Sequence, residues 1–175
     1  MPVSLYDATV RSYLQILPSV AGLLDIAESH CRDKGVPDEA LTGARLADDM
    51  WPFAKQVFET GHHSARAIEG LRNGVFRPEI DDVPRDFATL KTEVTRSIEL
   101  LGAADPAEVE SFANKTLRFE AGAHSMEFDG ADFLLSFSMP NFYFHATAAY
   151  AVLRARGLPV GKRNFLGALR LREPS

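Results

Sequence analysis

Four segments of this chain carry apolar residues three and four positions apart, and each segment ends close to a glycine or a proline. This spacing gathers the apolar side chains on one face of a helix. The predicted helices run from about Leu5 to Arg32, from a cap at Asp49 to Leu71, from Phe87 to Gly102, and from Asp132 to about Arg156. Amphipathic helices of this length bury their apolar faces against one another. The sequence therefore predicts an all-α four-helix bundle.

The segment between helices three and four has a different period. Apolar and polar residues alternate over Thr116–Glu120 and again over Ser125–Asp129, with Gly122 between the two stretches. Strict alternation is typical of a strand, and two such stretches around a short glycine-containing turn indicate a hairpin. We therefore predict a small β-hairpin over residues 116–128, with His124 exposed at its turn.

Two further stretches are expected to be irregular. Residues 75–85 contain two prolines and the acidic residues Glu79, Asp81 and Asp82. This composition favours an extended loop whose carboxylates are solvated, rather than a cation site. Residues 161–167 are expected to form a turn or a short strand that packs back on the bundle.

Composition limits the classes of protein to consider. The 175 residues suit a single domain, 1–175, and 46% of them are hydrophobic. The net charge of −5 argues against a nucleic-acid partner. Cys31 is the one cysteine, which excludes an intrachain disulfide and agrees with a reducing, cytoplasmic location. The longest apolar stretch, Phe142–Leu153, is too short for a membrane span. A cytoplasmic protein with no membrane partner is expected.

Histidines on two of the predicted helices are the strongest chemical signal. Asn141 and His145 are four residues apart in helix four and share one face. His63 lies in helix two, beside His62 and one turn after Glu59. Neutral imidazoles are common ligands of zinc and nickel, but such a site needs about three protein ligands. The spacing is compatible with a metal site or with histidines that are hydrogen-bonded inside the core.

Several blocks of the sequence resemble one known family. They are Leu5-Tyr6-Asp7-Ala8, Ala44-Arg45-Leu46-Ala47-Asp48-Asp49-Met50, Pro140-Asn141-Phe142-Tyr143-Phe144-His145 and Gly161-Lys162-Arg163-Asn164-Phe165-Leu166-Gly167. The chain is similar to an uncharacterised bacterial and fungal domain family of the DinB/YfiT-like superfamily of four-helix bundles. The resemblance implies a homodimer and a divalent metal held by three histidines, and for some members a thiol-dependent transferase activity.

The superfamily pattern has one histidine on helix two and a His-x-x-x-His pair on helix four. By this resemblance the three ligand positions correspond to His63, Asn141 and His145. Asn141 replaces one imidazole, and an amide oxygen is a weak donor to a transition metal. The replacement favours a site without zinc or nickel.

Three functional hypotheses follow. The first is a protein that binds a small molecule in a bundle pocket lined by His63, Asn141 and His145, with Tyr143 and Glu59 nearby. The second is a divalent-metal-dependent enzyme, transferase-like in chemistry, in which Glu59, His62 or water completes the metal's ligands. The third is a structural or interaction module in which the histidines have no binding role.

Overall fold

The fold is mostly helical, with a small three-stranded sheet whose first strand is separated from the other two by two helices. A computed structural model describes residues 3–78 and 83–172. The helices are α1 (Leu5–Ala8), α2 (Val10–Lys34), α3 (Glu39–Thr42), α4 (Phe53–His62), α5 (Ala65–Asn73), α6 (Phe87–Gly102), α7 (Pro106–Ser111), α8 (Gly130–Asp132), α9 (Met139–Ala155) and α10 (Lys162–Leu166). A π-helical segment, Phe133–Ser138, joins α8 to α9.

Capping side chains and glycines set the ends of the long helices. Asp86 accepts a hydrogen bond from the Thr89 N–H and caps α6, and Gly35 ends α2 in the left-handed region with φ of 64°. Thr9 departs from helical dihedrals, so the first predicted helix is divided into α1 and α2. Helix three is confirmed at Phe87–Gly102.

The long helices pack in pairs around a common apolar core. Helix α4 packs against α9 and α6, and α2 packs against α6 and α9. The largest fully buried side chains come from all of these elements and include Tyr13, Phe53, Phe87, Phe133 and Phe142. This arrangement brings the end of α4 against the middle of α9, where the predicted site residues lie.

The predicted hairpin is confirmed. Strands β2 (Thr116–Ala121) and β3 (His124–Asp129) pair antiparallel, and His124 is exposed. A third strand, β1 (Val75–Phe76), pairs parallel with β2 at the start of the segment predicted as a loop. Its two residues are too few for a period to be visible in the sequence. The acidic residues Glu79, Asp81 and Asp82 fall within 79–82, so the solvated loop predicted for them lies outside the described residues.

Helix two was predicted as one helix, and this is wrong. The helix begins at Phe53 after Pro52 in an extended conformation, so Asp49 is not its cap. It stops at His62, and Ser64 takes φ of −129° and ψ of −85° before α5 begins. The Ser64 hydroxyl donates to the Thr60 carbonyl in place of a continued helical bond. The break lets His62 and His63 face different neighbours.

Helix four and the tail also differ from expectation. The helix predicted from Asp132 to about Arg156 consists of the π-helical segment followed by α9, and Pro140 occupies the first turn of α9. The tail forms the short helix α10 rather than a strand, and it packs against α2. Within residues 3–78 and 83–172, no helix combines the length and the apolar character that crossing a membrane requires.

Candidate functional site

Helices α4 and α9 bring two histidines into contact. The His63 ring lies at the end of α4, the His145 ring lies in the middle of α9, and their centroids are 5.6 Å apart. The planes are nearly parallel, at 13°. Both side chains are buried, at 7% and 5% exposure. The two rings are therefore close enough to share a ligand.

A carboxylate completes the cluster. Glu59 lies one turn before His63 on α4, and its Oε2 is 3.5 Å from His63 Nε2. Glu59, His63 and His145 each offer a ligand atom within 4.8 Å of the other two. One imidazole from each of two helices and one carboxylate therefore converge on a single buried point. Oxygen and nitrogen ligands of this kind suit zinc, nickel and iron.

The orientation of His145 is set by a hydrogen-bond chain. Gln56 Nε2 donates to the Trp51 carbonyl oxygen at 3.2 Å, so Gln56 Oε1 is the acceptor in its contact with His145 Nδ1 at 2.7 Å. His145 must then carry its proton on Nδ1, which leaves the lone pair on Nε2 free. A metal-binding histidine is usually held in this way through its second nitrogen.

Trp51 covers the same histidine from the other side. Its ring stacks on the His145 ring with centroids 5.6 Å apart and planes 11° apart. The loop that carries Trp51 is closed by the Phe53 N–H, which donates to the Ala44 carbonyl, and by Arg45, which donates to the Met50 carbonyl. Trp51 is nevertheless 48% exposed, so it lies at the mouth of the site rather than in the core.

Burial keeps both imidazoles neutral. Loss of solvent first, and then the neighbouring rings of His62 and His145, lower the pKa of His63 to about 3. Burial and then the charge of Lys55 lower the pKa of His145 to about 4. Only a neutral imidazole has a lone pair to donate to a metal, so both rings are available as ligands at neutral pH. His63 Nδ1 is buried and makes no hydrogen bond among the described residues.

Lys55 is the charged neighbour of this cluster. Its Nζ is 2.9 Å from Glu59 Oε1 and lies over the rings of Trp51 and Phe58. The two oxygens of Glu59 therefore face different partners, Oε1 facing Lys55 and Oε2 facing His63. The ion pair compensates the buried carboxylate charge and leaves one of its oxygens directed at the histidines.

Asn141 and Tyr143 lie beside the cluster. Asn141 lines an open pocket of about 360 Å³ together with His145, Trp51 and Gln56. Its Nδ2 donates to the Phe137 carbonyl at 2.8 Å, which fixes the amide against the helix backbone. Tyr143 lines a neighbouring groove instead. The carboxylate that meets both imidazoles comes from Glu59, which the sequence analysis treated as an accessory residue.

Sequence reasoning missed the roles of Gln56 and Lys55. The signal for Lys55 was present, because Lys55, Glu59 and His63 follow one another at intervals of four on one helix face. Gln56 contacts His145 only through the packing of α4 on α9, and no spacing in the sequence joins residues 89 positions apart.

Two comparisons place this architecture among known proteins. The chain is similar in fold to the crystal structure of a DinB family member protein from Shewanella denitrificans. That match has a TM-score of 0.79 and 28% identity, and it covers 97% of this chain and 96% of the other. The model of the domain of unknown function DUF1993 matches residues 5–166, so the chain belongs to the DUF1993 family. A comparison with curated proteins gave no match.

Proposed function

We propose that this DinB-like protein binds a divalent transition-metal ion through Glu59, His63 and His145, and that the metal faces a pocket for a small molecule. The observation that carries the proposal is the convergence of three buried ligand atoms within 4.8 Å of one another. The proposal includes the finer assignment of the fold as a four-helix bundle, built from α2, α4 with α5, α6 and α9. Sites in such bundles lie between facing helices.

The residues around the cluster suit a metal better than a sealed core. His145 presents an unprotonated Nε2 because Gln56 holds its Nδ1–H, and His63 Nε2 lies 3.5 Å from Glu59 Oε2. A bound divalent ion would supply Lewis-acid chemistry and a water of lowered pKa.

The pocket gives the site access to a ligand. Trp51, Asn141 and Gln56 line it next to His145, and Asp49 lies at its rim. The amide of Asn141 and the stacked Trp51–His145 pair would orient a polar group that enters from solvent. Three protein ligands leave further coordination positions for that group or for water.

A metal-free small-molecule site is the second candidate, and one specific contact favours it. Lys55 already pairs with Glu59 at 2.9 Å, so the carboxylate charge is compensated without a metal ion. In this alternative, His145 and Asn141 would bind the ligand directly through hydrogen bonds.

Metal titration separates the two candidates. Protein prepared without an affinity tag and stripped with a chelator would be titrated calorimetrically with zinc and with nickel. One tightly bound ion per chain is expected, and Glu59→Gln should weaken it because an amide oxygen is a poorer donor than a carboxylate. Gln56→Leu should weaken it by about 10–100-fold through loss of the hydrogen bond that orients His145.

The control variant is Thr95→Ala, which changes an exposed residue of α6 and should leave affinity unchanged. Circular dichroism of every variant distinguishes a lost ligand from a lost fold. Absence of binding by the wild-type protein to either metal would overturn the metal proposal. The metal-free pocket would then be the remaining function, and absence of any ligand would favour a structural module.

A further inference from the structure

An apolar groove continues from the candidate site along the surface of α9. The pocket at His145 and a second depression of about 460 Å³ share Met50 and Phe144 in their walls. The second depression is lined by Leu46, Met50, Pro140, Tyr143, Phe144, Thr147, Ala148 and Ala151. Because the two spaces have common walls, one elongated ligand can occupy both.

The two ends of this surface differ in chemistry. The end at His145 offers the amides of Gln56 and Asn141 and the rim carboxylate of Asp49. Among the described residues that line the far end, none has an acidic or basic side chain, and the polar side-chain atoms are those of Thr147 and the Tyr143 phenol. Such a surface complements a molecule with a polar group at one end and an apolar group at the other.

Large apolar side chains that border this groove are exposed to solvent. Phe144 is 56% exposed, Trp51 48% and Leu46 40%. Single exposed apolar residues are ordinary, but a contiguous group of them marks a place that is covered in use. Covering these side chains stabilises a complex in proportion to the apolar area removed from water.

We infer that the ligand of this protein is an amphiphile with an uncharged apolar tail, whose small polar head sits at His145 and whose tail lies in the groove beside Tyr143 and Thr147. This inference rests on the proposed pocket for the position of the head. The tail is assigned by the groove alone. The continuity of the groove with a buried polar site favours a small molecule of this kind over a second copy of the chain or a peptide.

Trp51 makes the inference directly testable, because it is the only tryptophan of the chain and it lines the pocket. The full chain would be titrated with 1-alkanols from butanol to octanol, with Trp51 fluorescence as the readout. A saturable change is expected, with affinity rising by up to about fourfold for each added methylene. The series would be run both in chelator and with zinc.

Thr147→Phe would fill the groove, and Thr95→Phe is its matched control, since both are exposed threonines on long helices. Thr147→Phe should lower the affinity for octanol by about tenfold and flatten the dependence on chain length, because the tail loses the surface that it covers. Thr95→Phe should behave as the wild type. Sedimentation of both variants would show whether a second copy covers the groove.

Three results would overturn the inference. They are no saturable fluorescence change with any alkanol, an unchanged chain-length dependence in Thr147→Phe, and a wild-type dimer that Thr147→Phe dissociates. Zinc binding without alkanol binding would overturn the inference and leave the metal proposal intact. Alkanol binding by a protein that binds no metal would support the inference and overturn the metal proposal.

Discussion

His62 and His63 are neighbours in the chain and their rings meet edge to face with centroids 5.3 Å apart, yet they face different helices. His63 faces α9, where Glu59 and His145 meet it. His62 faces α6 and packs on the Phe76 ring at 4.6 Å, beside a small cavity lined by residues that include Ser97, Glu93 and Arg66. Both are buried, at 5% and 7% exposure, and burial lowers the pKa of both, to about 4 and about 3.

The comparison shows that burial and a perturbed pKa do not by themselves mark a binding site. Within the described residues neither ring nitrogen of His62 makes a hydrogen bond, whereas His63 lacks one at Nδ1, so His62 is the less satisfied of the two. The two histidines differ in the ligand atoms around them. Among the described residues, His63 has two further ligand atoms within 4.8 Å, and no such group includes His62. A site is defined by convergent donors.

Removing each histidine in turn is the most direct test of whether only His63 belongs to the metal site. His63→Ala should lower zinc affinity by roughly a thousandfold, because one ligand of about four carries a few kcal/mol of a total near 10–16 kcal/mol. His62→Ala should leave affinity close to that of the wild type. Calorimetric titration checks both. Equal losses in the two variants would show that the two regions act as one site.

The pH dependence of the free energy of unfolding tests the effect of burying His62. Burial first, and then the charges of Arg66 and Lys55, lower the pKa of His62 from 6.5 to about 4 in the folded protein. Between pH 6.5 and pH 4 the unfolded chain therefore binds a proton that the folded chain does not. The free energy of unfolding is highest above pH 6.5 and falls as the pH is lowered through this window.

His62→Gln removes the group that titrates between pH 6.5 and pH 4. The loss of unfolding free energy on acidification should therefore become smaller by about 3 kcal/mol, which is the pKa difference converted to free energy. Urea denaturation at several pH values in chelator measures it. His63, Glu93 and the Arg66–Glu93 pair at 3.7 Å also face this region. For this reason Glu93→Gln is the control, and the same reduction in that variant would contradict the assignment to His62.

Ser138 holds the backbone at the boundary between the two regions. Its hydroxyl donates to the His63 carbonyl at 2.7 Å and contacts the Tyr13 hydroxyl at 2.8 Å, with all the groups buried. Since the Ser138 proton goes to His63, Tyr13 must be the donor in the second bond. Ser138→Ala leaves a buried carbonyl and a buried hydroxyl unpaired, and should lower the free energy of unfolding by about 2 kcal/mol.

Tyr13→Phe is the matched variant, because it removes only the outer bond and should cost about 1 kcal/mol. Urea denaturation of both variants gives the two values. A cost for Tyr13→Phe as large as that of Ser138→Ala would show that the bond to His63 contributes nothing.

The smallest expected effect concerns Asn141. Its amide is bonded to the Phe137 carbonyl and lines the pocket, while Glu59 supplies the third ligand atom beside the histidines. Asn141→Ala should therefore change zinc affinity by less than about threefold, as a substitution away from the ligands does. Titration calorimetry checks it against Glu59→Gln. A large loss in Asn141→Ala would make the amide a ligand and reduce the role of Glu59.

Most of the helical fold could be predicted from local patterns. The apolar stripe from Phe87 to Leu101 predicted α6 correctly, and alternation predicted the β2–β3 hairpin, because both signals arise from residues a few positions apart. The break between α4 and α5 and the two-residue strand β1 could not be predicted. They depend on bonds from distant segments, such as Ser138 to the His63 carbonyl and β2 to β1.

The sequence by itself determined which residues could bind: two histidines, a carboxylate one helical turn from one of them, and Asn141 four residues from the other. Only the tertiary structure decided which of them meet. It placed Glu59 next to the histidines and His62 against α6, and it oriented the His145 ring through the hydrogen bond to Gln56. The physical reason is that a helix fixes neighbours on its own face, whereas the contact between α4 and α9 depends on how two helices pack.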